Sequence, residues 1–239
     1  MANPVVFIPA LACTADLFAD QIRAISRGRT VVLANHRRHA SVTHLGETLL
    51  GELPPRFVLV GLSMGGYAAF ELLRRAPERI SALVLMDTTA RPDSEEATAR
   101  RERMIGLVEA GRFNDIAPLT MPTAVAPERA DDPDLVAAVR RMVDETGPDA
   151  YVRQQRLVIG RPDSRPLLPA IACPTLVVVG DRDQITPPEV AEEIASAVPG
   201  ARLVTMPMCG HLSTLERPQA ATHALVQFID DHGGWRAST

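Results

Sequence analysis

A serine lies between two glycines at the end of a strongly apolar run. The stretch FVLVGLSMGGY, residues 57–67, places Gly61 two residues before Ser63 and Gly65 two residues after it. A serine on a very tight strand-to-helix turn needs small neighbours, because side chains at those two positions would collide with the adjoining elements. Such a turn presents the hydroxyl at the start of a helix, where backbone N–H groups stabilise a developing negative charge. The pattern predicts that Ser63 is a nucleophile, and the alternative is a serine that N-caps an ordinary helix.

A serine hydroxyl is a weak nucleophile unless a base takes its proton, and one of the six histidines is suitably placed for that role. His211 lies in MPMCGHLSTLERP, on a loop after the last predicted strand, and we expect this loop at the same edge of the sheet as Ser63. The alternative is a histidine of a surface loop. His36, His39 and His44 lie in a polar connection, which favours a solvated loop over a metal site.

Three aspartates compete for the role of the acid that orients the histidine. Asp181 and Asp183 directly follow a strand in TLVVVGDRDQITPP, and Asp87 ends the strand after the serine, in LVLMDTTA. An acid at such a strand end would hold the imidazole in the tautomer that accepts the serine proton. The order serine, aspartate, histidine is one of the known chain orders of such triads. Position alone does not choose among the three.

Short β-branched runs recur along the chain and predict strands that are buried on both faces of a parallel sheet. These runs are Val5–Ile8, Val31–Leu33, Phe57–Val60, Ala82–Met86, Thr175–Val179 and Arg202–Thr205. The helical patterns between them are Ala15–Ser26, Val42–Leu50, Met64–Arg75, Pro188–Ala197 and Pro218–Asp230. This alternation predicts an α/β fold with a doubly wound, mostly parallel sheet of about six strands.

The fourth and fifth predicted strands are too far apart in sequence for a simple crossover. Residues 91–168, between them, have helical patterns of their own: Ser94–Ala110, Asp134–Glu145 and Pro148–Ile159. We expect residues 91–168 to form an inserted helical cap on a core of residues 1–90 and 169–239. The alternative is a set of edge helices in one domain. Apolar residues of this segment would cover the site or form its own core: Met104, Leu107, Phe113, Leu119 and Met121.

Composition excludes several classes of function. The net charge of −4 gives no basic stripe for nucleic acid, and all 25 basic residues are arginines, which excludes lysine Schiff-base and P-loop chemistry. Cys13, Cys173 and Cys209 have the spacing of neither a disulfide framework nor a zinc site, which favours a reducing, cytoplasmic compartment. The first strand–helix turn has no glycine for a dinucleotide. We expect no membrane span, no signal peptide and a disordered tail from Gly233.

The motifs GLSMGG, GDRDQITPP and CGHLSTLERP, in this order and at these separations, resemble those of the α/β-hydrolase superfamily. The chain is most similar to small bacterial hydrolases grouped near enol-lactonases, esterases and C–C hydrolases. The resemblance covers nearly the whole chain and is weakest in the cap. It implies Ser63 as nucleophile and His211 as base. The family pattern G-x-x-D implies Asp183 as acid, with Asp87 as the fallback.

The chain departs from the family pattern in two places. Relatives usually carry His-Gly after the first central strand, whereas this chain has Pro9-Ala10. The resemblance implies that the backbone N–H groups of Leu11 and Met64 form the oxyanion hole, and a hole built from backbone tolerates this change. There is no room before Val5 for the first antiparallel strands of the fold, so we expect a shortened sheet.

The resemblance favours a serine hydrolase that cleaves a small carboxylic ester or lactone through an acyl-enzyme, without a metal or organic cofactor. The same triad would also serve C–C bond hydrolysis or lyase chemistry, and a ligand receptor or regulator with little turnover is the third interpretation. The expected partner is a small molecule rather than nucleic acid or a membrane. An aromatic content of 4% argues against a large aromatic substrate, and we expect Cys209 to be a bystander beside His211.

Overall fold

The computed structural model describes residues 2–234 and contains one sheet of six parallel strands. The strands are β1 (Val5–Ile8), β2 (Val31–Leu33), β3 (Phe57–Leu62), β4 (Ile80–Met86), β5 (Thr175–Gly180) and β6 (Arg202–Met206). Their order in the sheet is β2-β1-β3-β4-β5-β6, and every neighbouring pair is parallel. The predicted α/β class and the predicted parallel sheet are therefore confirmed.

Alternate side chains of each strand face opposite layers of helices. Val5 and Phe7 of β1 belong to an apolar cluster with α1 (Ala19–Ile25) and α10 (Pro218–His232). Val6 and Ile8 belong to the cluster on the other face, which is covered by α2 (Val42–Glu52), α3 (Met64–Arg75) and α8 (Pro188–Ala197). The residues of β1, β3, β4 and β5 are thus all buried, which explains their uninterrupted apolar runs. The prediction of burial on both faces is wrong for β2 and β6, because these strands form the two edges of the sheet and are partly exposed.

The helices between β4 and β5 are α4 (Glu95–Glu109), α5 (Ile116–Ala124), α6 (Pro133–Thr146) and α7 (Pro148–Ile159). The sequence patterns anticipate α4, α6 and α7 but not α5, which contains Pro118 near its start and Pro122 in its interior. The predicted helix Ala15–Ser26 is also divided, because a 3-10 turn over Ala15–Phe18 precedes α1. The division into core and cap domains stays a prediction.

The parallel arrangement brings the carboxyl ends of all six strands to one edge of the sheet. The winding direction reverses between β1 and β3, and the loops that leave these two strands diverge there. Ligands of open α/β sheets bind in the crevice at such a reversal, so the residues after Ile8 and Leu62 occupy the expected place for a site.

Within residues 2–234, none of the helices combines the length and the apolar character that crossing a membrane requires. The predicted disordered tail begins at Gly233, but Gly233 is buried, its N–H donates to the Ile229 carbonyl at 2.6 Å, and its carbonyl accepts from Arg29 at 3.0 Å. The rest of the predicted tail, residues 235–239, lies outside the described residues.

Candidate active site

Ser63 occupies the tight turn between β3 and α3. Its backbone has φ of +52° and ψ of −111°, a conformation that costs free energy for any residue with a side chain. Two hydrogen bonds to the end of β4 hold it there. The Ser63 N–H donates to the Met86 carbonyl at 2.9 Å, and the Thr88 hydroxyl donates to the Ser63 carbonyl at 2.8 Å. The turn is therefore strained locally and fixed by its neighbours.

The two flanking glycines are required by backbone contacts. A Cβ atom on Gly61 would lie 2.5 Å from the carbonyl oxygen of Gly65. A Cβ atom on Gly65 would overlap the carbonyl oxygen of Ile8, at the end of β1. Backbone atoms cannot rotate away as side chains do, so only glycine lets the chain turn this closely.

His211 and Asp183 form a buried pair on the loops that follow β6 and β5. The Nδ1 atom of His211 lies 2.8 Å from Oδ2 of Asp183. The other carboxylate oxygen, Oδ1, accepts from the N–H groups of Ile185 and Thr186 at 2.8 and 2.9 Å, and the Thr186 hydroxyl donates to Oδ2 at 2.8 Å. Because a carboxylate only accepts, Nδ1 carries the proton and Nε2 is left as a proton acceptor.

The pair shifts the pKa of each partner toward the charged form. Burial by itself would lower the pKa of His211, but the charge and hydrogen bond of Asp183 outweigh it and raise that pKa. Burial would raise the pKa of Asp183, but the charge and hydrogen bond of His211 lower it overall. The carboxylate therefore stabilises an imidazolium, as a general base requires when it takes up a proton.

Ser63 and His211 line one cavity of about 100 Å³ at the carboxyl edge of the sheet. The segment after β1 contributes Leu11, and α5 and α6 contribute mostly apolar side chains, among them Ala124 and Met142. The structure thus brings Ser63, His211 and Leu11 to the same cavity, while Asp183 lies behind the imidazole.

The predicted oxyanion donors, Leu11 and Met64, have unused backbone N–H groups. Within residues 2–234, neither of these two N–H groups donates a hydrogen bond to a backbone or side-chain acceptor. Met64 opens α3 directly after Ser63, so its N–H is one of the donors that a helix start leaves free. Leu11 belongs to a segment that lines the cavity, and Met64 directly follows Ser63.

Of the three candidate acids, Asp183 is the one that hydrogen-bonds His211. Asp87 accepts instead from the Gly180 N–H at 3.1 Å and from the Ser213 hydroxyl. Complete burial, and then the nearby charge of Asp183, raise the pKa of Asp87. Asp181 accepts from the Cys209 N–H at 3.1 Å and shapes the loop before the histidine.

Gln154 of α7 contacts the segment that carries Leu11, and the sequence patterns do not predict this contact. Its Oε1 atom accepts from the N–H of Ala12 at 2.9 Å, and Ala12 has a φ of +57°. The side chain is fully buried, and its Nε2 atom has no partner within residues 2–234. A single glutamine inside a helical pattern carries no periodic or motif signal, so only the tertiary structure reveals this contact.

The interpretation of the polar connection after β2 as solvated is wrong for one of its histidines. His36 is 2% exposed, and burial lowers its pKa to about 4. The backbone of Ala10 and Cys13 faces the ring, so the loop folds under the segment that follows β1. In the described part of the chain, no group of three or more His, Cys, Asp or Glu residues is placed to hold a metal ion.

Comparisons with known proteins agree with this fold. The model of the alpha/beta hydrolase family matches residues 5–225. A Mycobacterium tuberculosis protein named for non-heme bromoperoxidase activity is 32% identical over 203 residues, which cover 80% of this chain and 73% of that protein. An esterase from Thermogutta terrifontis superposes with a TM-score of 0.88 at 30% identity, covering 97% of this chain and 90% of the other. The enol-lactonase from Burkholderia xenovorans gives 0.87 at 27% identity, covering 96% and 92%.

Proposed function

The chain belongs to the alpha/beta hydrolase family, and from this premise we propose that it is a serine hydrolase of small carboxylic esters or lactones. In this proposal Ser63 is the nucleophile, His211 the general base and Asp183 the acid that orients it. The observation that carries the proposal is the cavity shared by the Ser63 turn and His211, with Asp183 at 2.8 Å from Nδ1.

The proposed reaction is acyl transfer in two steps. His211 takes the proton of Ser63 as the hydroxyl oxygen attacks the substrate carbonyl carbon, and the N–H groups of Leu11 and Met64 bind the oxyanion. The imidazolium then protonates the leaving alcohol, and an acyl-enzyme remains. Water, deprotonated by His211, attacks the acyl carbon, and the imidazolium then returns the proton to the Ser63 oxygen as the carboxylic acid leaves. Apart from the substrate and water, this scheme uses only side chains and backbone groups of the chain.

The size of the cavity supports a short acyl group. A cavity of about 150 Å³ is large enough for benzene, whereas pockets for drug-sized ligands measure about 300 to 1,000 Å³. The catalytic cavity, of about 100 Å³, is lined mainly by alanine, valine, methionine and leucine side chains. An acyl group of a few carbons fits such a space, and it is the part of the substrate that remains on Ser63.

Two thiols near the site are poor competitors for the nucleophile role. Cys13 lines the cavity, and burial raises its pKa to about 12. Burial, and then the charge of Asp87, also raise the pKa of Cys209, two residues before His211. Since the thiolate is the reactive form, both thiols stay unreactive at neutral pH, which supports Ser63 as the nucleophile and Cys209 as a bystander.

The proposal is tested with a fluorophosphonate probe and a short-chain ester. We expect an adduct on Ser63, identified by peptide mass spectrometry, and turnover of 4-nitrophenyl butanoate that is lost in Ser63→Ala and His211→Ala. A folded protein that forms no adduct and turns over no ester would contradict the proposal. A Ser63 adduct without ester turnover would instead favour C–C bond hydrolysis or lyase chemistry on the same triad. Bromination of a standard acceptor with bromide and peroxide tests the activity for which one relative is named.

A further inference from the structure

A second, larger groove adjoins the catalytic cavity. It has a volume of about 700 Å³ and is lined by residues of α3, α4, α5 and the loop after β5. Ile185 lines both spaces, and α5 lies between them, with Thr120 on the cavity and Leu119 on the groove. Thr186, whose hydroxyl lies 3.2 Å from Nδ1 of His211, also lines the groove. The groove therefore begins on the side of the cavity where the base and its acid lie.

The groove carries more positive than negative charge. Its charged lining residues are Arg91, Arg100, Arg101, Arg161 and Asp93. Arg101 and Arg161 both pair with Asp93, at 3.1 and 2.6 Å, and the Asp93 side chain is 2% exposed. Arg91 pairs with Glu193, outside the lining. Arg101 and Arg161 thus share one buried carboxylate, which leaves one of their two positive charges unneutralised in a partly desolvated place, and Arg100 adds a further positive charge to the groove lining.

The guanidinium of Arg161 is held rigidly and keeps one donor free. Its side chain is 7% exposed and lies over the Tyr67 ring, 4.4 Å from the ring centroid. Nε donates to the Arg91 carbonyl, and Nη1 donates to Asp93 and to the Val158 carbonyl. Nη2 donates to no group within residues 2–234 and is not fully buried, and Arg161 lines the groove.

Arg101 repeats this arrangement on the other side of Asp93. Its Nε atom donates to Asp93, and Nη1 donates to the Gln155 side chain at 3.0 Å. Its Nη2 atom is likewise without a protein partner within the described residues and open to solvent. The groove therefore presents two fixed guanidinium donors beside an excess positive charge, which is the chemistry that binds a carboxylate or a phosphate.

We propose that this groove binds an anionic group, a carboxylate or a phosphate, on the alcohol half of the substrate. The inference rests on the proposed hydrolase function. His211 protonates the leaving alcohol, so the leaving group lies on the histidine side, where the groove begins. The short acyl half fills the apolar cavity, which has no charged side chain except the catalytic histidine in its lining. The proposed substrate class is an ester between a short-chain carboxylic acid and an alcohol that carries a carboxylate or a phosphate group.

The test compares three esters of matched size: 3-carboxyphenyl, 3-phosphonophenyl and 3-carbamoylphenyl butanoate. We expect kcat/KM to be at least about tenfold higher for an anionic ester than for the neutral amide, because a charge-assisted contact contributes at least that factor. The anionic ester with the higher kcat/KM shows whether the groove prefers a carboxylate or a phosphate. Raising the ionic strength reduces the ratio, since the groove is partly open to water.

Two variants change the groove in opposite directions. Arg101→Gln removes one free donor and one positive charge and leaves Arg161 paired with Asp93, so we expect the ratio of anionic to neutral kcat/KM to fall toward one. Asp93→Asn adds one net positive charge, and we expect the ratio to rise. Arg23→Gln is the matched control, because Arg23 lies on α1 in an exposed pair with Asp20 and should leave the ratio unchanged. Melting temperatures show whether each variant is folded.

A wild-type ratio near one, or a high ratio that survives Arg101→Gln, overturns the inference. A binding measurement separates this failure from failure of the proposed function. Calorimetric titration with 3-hydroxybenzoate, and with 3-hydroxyphenylphosphonate, requires no turnover. If no ester is cleaved but one of these anions binds to the wild type and not to Arg101→Gln, the anion site stands and the hydrolase proposal fails. If esters are cleaved without charge preference and neither anion binds, the hydrolase proposal stands and the anion site fails.

Discussion

Replacing Asp183 with asparagine tests whether its carboxylate controls the protonation of His211. Asparagine keeps one oxygen for the N–H groups of Ile185 and Thr186, so its NH₂ group must take the place of Oδ2, 2.8 Å from Nδ1. An NH₂ group only donates, which forces the imidazole proton onto Nε2, and Nε2 then cannot accept the proton of Ser63. The same exchange in a serine protease lowers kcat about 10⁴-fold. We expect a fall of about 10³- to 10⁴-fold here, or ~4 to 5.5 kcal/mol of transition-state stabilisation.

The pH dependence carries the more specific part of this prediction. In the wild type the charge of Asp183 raises the pKa of His211 above its ordinary value of 6.5, so activity is lost on acidification at an unusually high pH. Without that charge, burial lowers the pKa, and the acid limb of kcat/KM moves to lower pH. The assay is hydrolysis of 4-nitrophenyl butanoate from about pH 5 to about pH 9, because the limbs of kcat/KM report the free enzyme.

A fall of less than tenfold with an unmoved acid limb would refute this reasoning. Asp87→Asn is the companion variant. Asp87 does not hydrogen-bond His211, so its replacement leaves the tautomer unchanged and the effect on kcat/KM stays far smaller than that of Asp183→Asn. If Asp87→Asn proved the more damaging of the two, Asp87 would be the functional acid.

Three further predictions concern residues around the triad. Gly65→Ala lowers the free energy of unfolding by about 2 kcal/mol or more in urea titrations, because the new Cβ overlaps the Ile8 carbonyl. Gly106→Ala raises the free energy of unfolding by about 0.5 to 1 kcal/mol, because Gly106 has open space around it in α4. Gln154→Met leaves the Ala12 N–H unpaired, so it lowers the free energy of unfolding by about 1 to 3 kcal/mol and also lowers kcat. Gln21→Met, at an equally buried glutamine between α1 and α10, lowers the free energy of unfolding but leaves kcat unchanged. Asp87→Asn gains stability relative to the wild type as pH rises above 3.8, the ordinary pKa of aspartate, in denaturant titrations, because a raised native pKa means that the wild type loses stability from that pH upward. An unchanged kcat in Gln154→Met, equal effects of the two alanine substitutions, or a pH-independent difference for Asp87→Asn would contradict the respective prediction.

Much of the fold was predictable from the sequence because the four central strands, β1, β3, β4 and β5, are buried on both faces. Apolar runs therefore mark the strands directly, and the predicted starts of β1, β2, β3, β5 and β6 coincide with the observed ones. The tight turn at Ser63 was also predictable, because only glycine fits at positions 61 and 65. The turn depends on residues that are close in sequence, and the strands depend on burial between two layers of helices.

The features that were missed depend on contacts between distant segments. The sequence patterns do not predict helix α5, because its nine residues include Pro118 and Pro122, and proline ordinarily ends a helix. His36 looked solvated because its sequence neighbours are polar, although the segment after β1 covers it. The contact of Asp183 with His211 is set by how two loops pack, which spacing alone did not decide.

Two buried carboxylates outside the proposed triad explain how these loops keep their positions. Asp87 accepts from the Gly180 N–H, where the loop of Asp183 begins, and from the Ser213 hydroxyl, two residues after His211. Glu216 accepts from the N–H of Gly210, beside His211, and from the N–H of Ala126, just beyond α5, both at 2.9 Å.

Burial raises the pKa of both Asp87 and Glu216, and placing carboxyl groups in an apolar interior costs free energy unless they are hydrogen-bonded. Each carboxyl bridges polar groups of two separate segments that strand and helix hydrogen bonds leave unpaired. Together they tie the loop of Asp183 to the loop of His211, and the loop of His211 to the cavity wall that follows α5. The apolar core therefore fixes where the strands end, and this small polar network fixes how the loops beyond them meet.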